Sequence, residues 1–405
     1  MRVLFLTPSA GLGGAERALI EAIRGLRCVV PEWPLGLVAP DDGPLTGQAA
    51  VLGVETLVLP LPPRFAATGE SGRSPAATWL RLAAAGGSAA GYARRLRALI
   101  RGWAPDVVHS NGIKTHLLAT WAVDAATPLV WHVHDYLSAR GVSGRLLRTR
   151  AGRATLVLAN SRSVAADAAR VLGHRRPIEP IYNAIDTDRF SAEGPRLDLD
   201  AASGLPAARE GTLRIGLAAT FARWKGHEVF LRAVAALPAD GMRAYVVGGP
   251  VYETGAASQV SIDELRVLVA GLGLTGRVGF TGFLDDTSAA LRSLDVVVHA
   301  STEPEPFGLA IAEAMACGRA VVMSDAGGAR EVGTPDRNCL AHAPGDSAGL
   351  ARQIARLLAD PALREALGAA AAADIRVRFT RSIMGRALRD AYLSVSRATE
   401  RAAAR

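Results

Sequence analysis

The strongest constraint on the fold of this chain is a repeated alternation of short, wholly apolar runs with longer amphipathic segments. The first run, Val3–Leu6, leads through a glycine-rich loop into Ala18–Leu26, where apolar residues recur at helical spacing. Short apolar runs are typical of strands that are buried on both faces, as in parallel sheets. The alternation therefore predicts parallel sheets with helices packed on both sides.

Runs of the same kind form two series, one in each half of the chain. In the first half the predicted strands are Val3–Leu6, Leu35–Ala39, Glu55–Leu59, Asp106–His109, Leu129–Val133 and Thr155–Ala159. In the second half they are Leu213–Ala219, Ala244–Val247, Arg277–Thr281, Val296–His299 and Ala320–Met323. From Ala348 onward the pattern is helical. The fold class we predict is α/β, with two Rossmann-like domains.

The composition is sufficient for two such domains, and it also indicates the cellular compartment in which the protein folds. The chain has 405 residues, 49% of them hydrophobic, which is enough for two cores. Its cysteines, Cys28, Cys317 and Cys339, lack metal-type spacing and favour a reducing compartment, where each serves as a small apolar filler. The opening apolar run is too short for a signal peptide, and no stretch approaches the roughly 18 apolar residues of a membrane span. We expect a cytoplasmic protein.

The formal net charge of +8 raises the question of a polyanionic partner. The basic residues are scattered and not interleaved with aromatic residues, which argues against nucleic acid. Two arginine clusters are compatible with an anionic membrane surface, and the protein would then be peripheral on the inner face of the plasma membrane. Solvated helix faces in an arginine-rich composition are the simpler and preferred explanation of the clusters, and the membrane surface is the alternative. The clusters are Arg94, Arg95, Arg97 and Arg101, and Arg140, Arg145, Arg148, Arg150 and Arg153.

Two carboxylates, Glu305 and Glu313, flank a predicted helix start. Pro306 follows Glu305 directly, and proline is well tolerated at the first position of a helix. Free backbone N–H groups at a helix start, together with the positive end of the helix dipole, bind phosphate oxygens. The N–H groups expected to be free here belong to Phe307, Gly308 and Leu309. The segment therefore predicts a diphosphate position with a hydroxyl-binding carboxylate on each side.

Lysine is rare in this chain: of 46 basic residues only Lys114 and Lys225 are lysines. In so arginine-rich a composition, a lysine is expected where a compact ammonium is required. Lys225 and Arg223 follow strand 213–219 at its carboxyl end, where ligands of open α/β sheets collect. Cations there would stabilise the charge that develops on a leaving diphosphate. Lys114 follows strand 106–109 in the same way, and we expect it to line the ligand cleft.

Histidines cluster at the ends of two neighbouring strands. His132 and His134 end the strand that begins at Leu129, and alternation directs both to the same face, so periodicity does not choose between them. His132 lies deeper and is expected to be a packed, hydrogen-bonded core residue. His109 and Asn111, at the end of strand 106–109, are candidates for lining the cleft. His116 and His299 are weaker candidates.

The segment from Glu305 through Glu313 into the strand at Ala320–Met323 closely resembles the signature of the family-4 retaining glycosyltransferases. Members of that family have the GT-B architecture: two Rossmann-like domains face each other across a cleft, and the C-terminal helix crosses back to the first domain. The resemblance implies that Glu305 contacts the donor sugar and that Glu313 binds the ribose hydroxyls. It also implies that the diphosphate lies against Phe307, Gly308 and Leu309.

The resemblance extends over nearly the whole chain and implies further roles in the first half. Measured from Pro128, His134 corresponds to the family histidine near the donor sugar. The loop containing Gly13, Gly14 and Glu16 corresponds to the N-terminal loop that faces the donor phosphates and the acceptor.

In the second half, Lys225 corresponds to the lysine that the family places against the diphosphate. Family members usually carry Gly-Arg a few residues earlier, where this chain has Ala219 and Thr220. Thr220 is thus expected beside the donor, and Arg223 is expected to supply the missing arginine. This departure leaves the arginine role open.

The activity that the resemblance implies is transfer of a sugar, with retention, from a nucleoside-diphosphate-sugar to a hydroxyl acceptor on a glycan, a lipid-linked saccharide or a small molecule. Such enzymes use the helix dipole, lysine and arginine in place of a metal, so we expect neither a metal site nor a cofactor. A sugar-nucleotide epimerase, a phosphorylase and a catalytically silent sugar-nucleotide-binding module are the alternatives. A phosphorylase would need a lysine for pyridoxal phosphate, and both lysines are otherwise assigned.

The resemblance also suggests domain limits. We expect an acceptor domain over 1–185, a donor domain over 186–378 and a C-terminal helix over 379–405 that packs on the first domain. Tyr182–Phe190 resembles the interdomain passage of the family. Residues 60–90, rich in Pro, Gly, Ala and Ser, are predicted to be a mobile loop with a weak helix bordering the acceptor site.

Overall fold

The chain forms two compact units in the computed structural model, which describes residues 1–66, 75–173, 176–250 and 258–403. The first unit contains Met1–Ala184 and Phe379–Arg405, and the second contains Ile185–Arg378. The main chain leaves the first unit within the predicted passage Tyr182–Phe190 and returns at Phe379.

The first unit is built on a sheet whose strand order, within the described residues, is β3-β2-β1-β4-β5-β6-β7, with every pairing parallel. The strands are β1 (Val3–Leu6), β2 (Leu35–Ala39), β3 (Glu55–Val58), β4 (Val107–Asn111), β5 (Leu129–Val133), β6 (Leu156–Ala159) and β7 (Ile178–Pro180). The helices are α1 (Gly14–Val29), α2 (Pro44–Val51), α3 (Pro63–Ala66), α4 (Pro75–Trp103), α5 (Ile113–Ala122), α6 (Gly141–Arg150) and α7 (Arg162–Leu172).

The second unit repeats the architecture with the order β10-β9-β8-β11-β12-β13, again parallel throughout the described residues. The strands are β8 (Leu213–Ala218), β9 (Met242–Val247), β10 (Val278–Gly282), β11 (Val296–His299), β12 (Ala320–Ser324) and β13 (Leu340–His342). The helices are α8 (Leu199–Ser203), α9 (His227–Ala235), α10 (Ile262–Gly271), α11 (Thr287–Arg292), α12 (Leu309–Ala316), α13 (Ala329–Val332), α14 (Ser347–Ala359) and α15 (Pro361–Arg378).

Both sheets reverse their strand order at one point, between β1 and β4 in the first unit and between β8 and β11 in the second. Open parallel sheets bind ligands at this switch point, beyond the carboxyl ends of the strands. Interior strands such as β1 and β2 are buried along their whole length, which explains their uninterrupted apolar character. The fold therefore singles out one edge of each sheet before any side chain is considered.

The last helix, α16 (Arg381–Ala403), packs against α1, which confirms the predicted return of the C-terminal helix to the first unit. The two helices meet at Gly25 and Gly385, where a Cβ on Gly385 would lie 2.1 Å from the carbonyl oxygen of Gly25. Arg381 Nε donates a hydrogen bond to Glu21 Oε2 at 2.5 Å beside this contact. The glycine pair allows the close approach, and the ion pair fixes its register.

Some local predictions need correction. The sequence did not predict the short edge strands β7 and β13, because three residues are too few to carry a periodic signal. Of the region predicted as a loop with a weak helix, 75–90 lies in the long helix α4, and 67–74 lie outside the described residues. Cys317 and Cys339 are buried fillers, but Cys28 is exposed.

Candidate active site

Lys225 and Glu305 meet at the switch point of the second sheet. Lys225 lies in the segment after β8, and Glu305 lies after the neighbouring strand β11. Lys225 Nζ donates a hydrogen bond to Glu305 Oε2 at 2.8 Å. The lysine side chain is 20% exposed and the glutamate side chain 10%. The pair is therefore mostly desolvated while its lysine end still reaches the surface of the unit.

His299 and Ser301 also contact the oxygen that accepts from Lys225. His299 Nε2 lies 3.0 Å from Glu305 Oε2, and Ser301 Oγ donates to the same oxygen at 3.2 Å. The backbone N–H of Ser324 donates to His299 Nδ1 at 3.4 Å. Because Nδ1 accepts, the proton of a neutral His299 must lie on Nε2, where it donates to the carboxylate. The ring orients Glu305 without needing a charge of its own.

The surroundings of Glu305 keep its carboxylate ionised. Burial alone would raise its pKa, but the Lys225 ammonium and the His299 hydrogen bond outweigh burial, so the pKa lies well below its usual range. A buried carboxylate held as an anion and tied to a lysine can accept hydrogen bonds from ligand hydroxyls at pH 7. It cannot serve as a general acid at that pH.

A glycine and a backbone hydrogen bond hold the Lys225 segment in place. Gly226 has φ +74°, and a Cβ there would lie 1.9 Å from the carbonyl oxygen of Ala300. The backbone N–H of Thr302 donates to the Trp224 carbonyl at 2.7 Å. Lys225 Nζ lies 3.9 Å from the centroid of the Trp224 ring, a cation–π distance. Only glycine fits at position 226, and this is why Lys225 can reach the end of β11.

The predicted helix start is three residues too early. Helix α12 begins at Leu309, and Pro306 lies in the preceding segment. Gly308 precedes the helix with φ +102°, a backbone conformation that disfavours other residues and that proline tolerance could not reveal. The backbone N–H of Gly328 donates to the Glu305 carbonyl at 2.6 Å and fixes the segment before the helix.

The remaining donor-binding candidates of the second unit lie on these same elements. Phe307 is buried, whereas Leu309 and Glu313 are half-buried on α12. Thr220 is half-buried in the segment that follows β8. Thr220 thus lies in the segment between β8 and Lys225, and Glu313 lies one turn into the helix that follows Glu305.

Arg223 makes a different contact from the one expected. Its Nη2 donates to Glu264 Oε1 at 2.7 Å on α10, and both side chains are about half exposed. Glu264 also caps α10 through Ser261. Arg223 therefore lies on the element that carries Lys225, but it would have to exchange Glu264 for a ligand to act on a diphosphate.

In the first unit the glycine loop leads into α1 at the switch point. Gly13 is the N-cap residue of α1 and Gly14 its first residue, and both are exposed. Burial raises the pKa of Glu16, although hydrogen bonds with the backbone of Glu16 and Gly13 oppose the rise. Glu16 thus folds back over the loop and caps it, a role that the sequence comparison did not anticipate.

Asn111 links this loop to the strand-end histidine. Its Nδ2 donates to the Ala15 carbonyl at 3.3 Å, and its Oδ1 lies 2.6 Å from His134 Nε2. Burial lowers the pKa of His134 to about 4, so the ring is neutral at pH 7. The structure therefore joins three candidates, the glycine loop, Asn111 and His134, through one side chain.

His109 lies in the core of the first unit, which corrects its proposed place in the cleft. It is fully buried, and its Nδ1 lies 2.7 Å from the hydroxyl of Tyr392 on α16. His132 is also fully buried, as expected, but the predicted hydrogen bonds are absent: neither ring nitrogen has a partner among the described residues. The ring centroids of His132 and His134 lie 4.1 Å apart.

Two further features lie near the switch point of the first unit. Lys114 is half-buried near the start of α5, and burial lowers its pKa. A cavity of about 460 Å³ opens beyond β1, β2 and β3 and is lined by Ser9, Gly11, Asp41, Asp42 and Pro60, among others. This cavity can hold a sugar-sized molecule.

Two residues that contact Glu305, His299 and Ser301, were not fully predicted from the sequence. His299 was a weaker candidate than the first-unit histidines, and Ser301 was not considered. The available signal was the spacing His299-x-Ser301-x₃-Glu305, which places the three polar groups directly after a buried strand. Tyr392 was also missed, because no local pattern connects a C-terminal helix with β4.

The fold and the site define the class of protein: an α/β chain of two doubly wound units, each with a cluster of polar and ionisable side chains at its sheet's switch point. Residues 12–189 match the family model described as Glycosyltransferase Family 4, and residues 212–360 match the one described as Glycosyl transferases group 1. These matches cover most of the chain, which therefore belongs to the family-4 glycosyltransferases with the GT-B architecture. The predicted fold class is confirmed.

Individual relatives agree with this assignment. The chain is 37% identical over 224 residues to the 2-deoxystreptamine glucosyltransferase of Streptomyces kanamyceticus, covering 53% of each protein. It is 32% identical over 224 residues to the lipopolysaccharide core biosynthesis glycosyltransferase LpsE of Rhizobium meliloti, covering 55% of this chain and 59% of LpsE. The chain thus spans little more than half the length of these curated relatives.

A solved structure matches over nearly the full length. HepE of Anabaena, crystallised with UDP and glucose, is 27% identical and has a TM-score of 0.80, with coverage of 97% of this chain and 100% of that chain. HepE has also been crystallised with UDP-glucose.

Proposed function

We propose that this protein transfers a sugar from a nucleoside-diphosphate-sugar to a hydroxyl acceptor, with retention of the anomeric configuration. The observation that carries the proposal is the Lys225–Glu305 pair at the switch point of the second sheet, beside the start of α12. A lysine and a helix start supply positive charge for a leaving diphosphate, and an ionised carboxylate accepts hydrogen bonds from sugar hydroxyls.

Each group has a distinct part in this proposal. The start of α12 and Lys225 hold the diphosphate and stabilise the charge that grows as the bond to the sugar breaks. Glu305, oriented by His299 and Ser301, binds donor sugar hydroxyls, and Glu313 binds the ribose. The departing phosphate oxygen takes the proton of the acceptor hydroxyl, so neither a nucleophilic side chain nor a metal is required.

UDP is the nucleotide we propose, because HepE, a structural match over nearly the full length, was crystallised with UDP and with UDP-glucose. The names of the curated relatives point to polyhydroxylated acceptors: lipopolysaccharide core, 2-deoxystreptamine and inositol phosphate. We propose a saccharide, lipid-linked or cyclitol hydroxyl as the acceptor, bound by the first unit at the cavity beyond β1, β2 and β3.

We further propose a cytoplasmic location with peripheral attachment to an anionic membrane. Arg97 and Arg101 already have protein partners, because Arg97 donates to the carbonyl of Trp121 on α5 and Arg101 pairs with Asp124 after that helix. Arg94, Arg95, Arg145, Arg148 and Arg150 remain exposed, and Arg150 lies 5.5 Å from the ring of Trp121, which is 40% exposed. Arginines around an exposed tryptophan suit a bilayer interface. No helix among the described residues is long and apolar enough to cross a bilayer.

Sedimentation with vesicles tests the membrane attachment. The wild-type protein is expected to sediment with phosphatidylglycerol vesicles and not with phosphatidylcholine vesicles, while the double variant Arg94→Glu/Arg148→Glu remains in solution. Arg232→Glu/Arg266→Glu, which reverses the charge of two exposed arginines on α9 and α10, is the matched control. Equal sedimentation of the double variant and the control would contradict the proposal.

A donor screen tests the central activity. Thermal stability is measured with UDP-, GDP- and ADP-sugars, since a ligand at 100 times its dissociation constant adds about 2.7 kcal/mol. We expect stabilisation by UDP-sugars in the wild type and none in Lys225→Ala. Product analysis then separates the alternatives: a transferase releases UDP and an α-glycoside, an epimerase returns an altered UDP-sugar, and a silent binding module returns the donor unchanged.

A further inference from the structure

Asn111 is the buried residue through which the first-unit histidine and the glycine loop are connected. Its side chain is fully buried. An amide has one oxygen, which only accepts, and one NH₂ group, which only donates. Which way the amide points therefore decides what each neighbour can do.

The Ala15 carbonyl settles the orientation of this amide. A carbonyl oxygen only accepts, so the atom of Asn111 that faces it at 3.3 Å must be the nitrogen. The oxygen of Asn111 then faces His134 Nε2 at 2.6 Å. The opposite orientation would set two oxygens against each other at Ala15.

The orientation of Asn111 in turn determines the proton position on His134. An oxygen at 2.6 Å requires a donor, so Nε2 carries the proton, and in the neutral ring Nδ1 carries the lone pair. His134 Nδ1 is buried and has no hydrogen-bond partner among the described residues. The lone pair on His134 Nδ1 therefore lies inside the first unit, and the neighbouring ring is that of His132.

From this geometry we infer that Asn111 is a positioning residue that holds His134 in its Nε2–H form and accepts that proton itself, so that His134 presents no basic nitrogen to a bound substrate. The chain of contacts runs from Ala15 in α1 through Asn111 on β4 to His134 after β5. Under the proposed glycosyl transfer, His134 then packs beside the substrate as a neutral ring and does not remove a proton from it.

Asn160 supplies a matched control. It is also a buried asparagine that contacts His134, but its Nδ2 donates to the backbone carbonyl of His134 at 3.2 Å and does not touch the ring. Asn160→Ala should therefore disturb packing near His134 without changing the proton on the imidazole.

The test is ¹H–¹⁵N long-range correlation NMR at pH 8 on protein labelled with ¹⁵N-histidine, with His134→Gln used to assign the resonance. In the wild type we expect His134 to carry its proton on Nε2, with a downfield shift and slow exchange with water. Asn111→Asp keeps an acceptor for Nε2, although it replaces the donor to the Ala15 carbonyl with an oxygen, so the proton should stay on Nε2 while the contact with the loop is lost. Asn160→Ala should retain the wild-type signature.

Asn111→Leu removes the acceptor, and the downfield shift and the exchange protection should both disappear. A wild-type His134 with its proton on Nδ1 would overturn the inference. So would an Asn111→Leu protein that is folded by circular dichroism and keeps the wild-type resonance. If Asn111→Leu fails to fold, the wild-type tautomer and the Asn111→Asp spectrum still decide the question.

A transfer assay adds the functional consequence. Asn111→Leu should lower kcat by roughly tenfold to a hundredfold with a smaller change in KM, because a misplaced orienting group acts on the reacting geometry. The NMR result stands even if no transfer is found, so failure of the proposed function and failure of this inference are distinguishable.

Discussion

The switch points of the two sheets carry sites that differ in how they handle charge. In the second unit a buried carboxylate stays ionised because Lys225, His299 and Ser301 all bond to Glu305. In the first unit His109, His132 and His134 stay neutral, and several of their ring nitrogens lack partners among the described residues. Desolvating an ion requires partners, whereas a neutral ring is less costly to bury. The same fold position thus carries a charged cluster in one unit and a neutral cluster in the other.

Removing the lysine should have the largest effect, because the charged site depends on it. Lys225→Ala is expected to lower kcat/KM by about a hundredfold or more, since the leaving diphosphate loses its cation. Lys225→Arg should not restore the rate, because a planar fork cannot replace a compact ammonium in this position. Initial-rate kinetics measures both variants, with Arg232→Ala on α9 as the control. Wild-type rates in a folded Lys225→Ala protein would contradict the site assignment.

As the pH falls, the first loss of folding stability should come from the buried neutral histidines of the first unit. Burial lowers the pKa of His109 to about 3, so the folded state stays unprotonated there while the unfolded state takes up a proton below about pH 6.5. Stability is therefore lost as pH falls from about 6.5 towards 3. For His109 alone the loss between pH 7 and 5 is about 2 kcal/mol.

Glu305 titrates with the opposite sign and in a lower range. Its pKa is depressed, so its contribution is present at neutral pH and is lost only below the ordinary glutamate value of about 4.3. Urea unfolding followed by tryptophan fluorescence measures mainly the first unit, because five of the six tryptophans precede residue 185. Equal free energies of unfolding at pH 7 and pH 5 would contradict the neutral-histidine account.

The hydroxyl of Tyr392 should have a smaller effect, confined to the first unit. Tyr392→Phe removes the partner of His109 Nδ1, and we expect the free energy of unfolding to fall by about 1–2 kcal/mol. Tyr136→Phe is the comparison, because its hydroxyl contacts Ser163 in a half-buried place. Thermal unfolding measures both. A smaller loss for Tyr392→Phe than for Tyr136→Phe would show that the buried contact is unimportant.

Arg223 should give the smallest change in stability. Its pair with Glu264 is about half exposed, and such pairs contribute about 0–1 kcal/mol. If Arg223 exchanges Glu264 for the diphosphate, Arg223→Ala should still weaken UDP binding in a calorimetric titration. Unchanged UDP affinity would mean that Arg223 is a surface residue and has no part in the charged site.

The sequence predicts the strands and several residues of the two clusters, but it does not predict the long-range contacts between them. Strand positions were predictable because most of the buried parallel strands are largely apolar, and Lys225, Glu305 and His134 lie in the segments that follow such strands. The contact between Lys225 and Glu305 was not predictable, because it depends on the left-handed backbone at Gly226 and on β8 lying beside β11. Tyr392 was not predictable, because its contact with His109 joins residues 283 positions apart.

The central claim is that the ion pair of the second unit recognises the sugar of the donor. Calorimetric titration of UDP-glucose and of UDP into Glu305→Gln and Glu303→Gln tests it most directly. Both changes remove one carboxylate charge two residues apart, but Glu303 is exposed whereas Glu305 is buried on Lys225. The account predicts that Glu305→Gln loses about tenfold or more in affinity for UDP-glucose and retains most of its affinity for UDP. Glu303→Gln should bind both ligands with wild-type affinity. Wild-type affinity of Glu305→Gln for UDP-glucose would contradict the account.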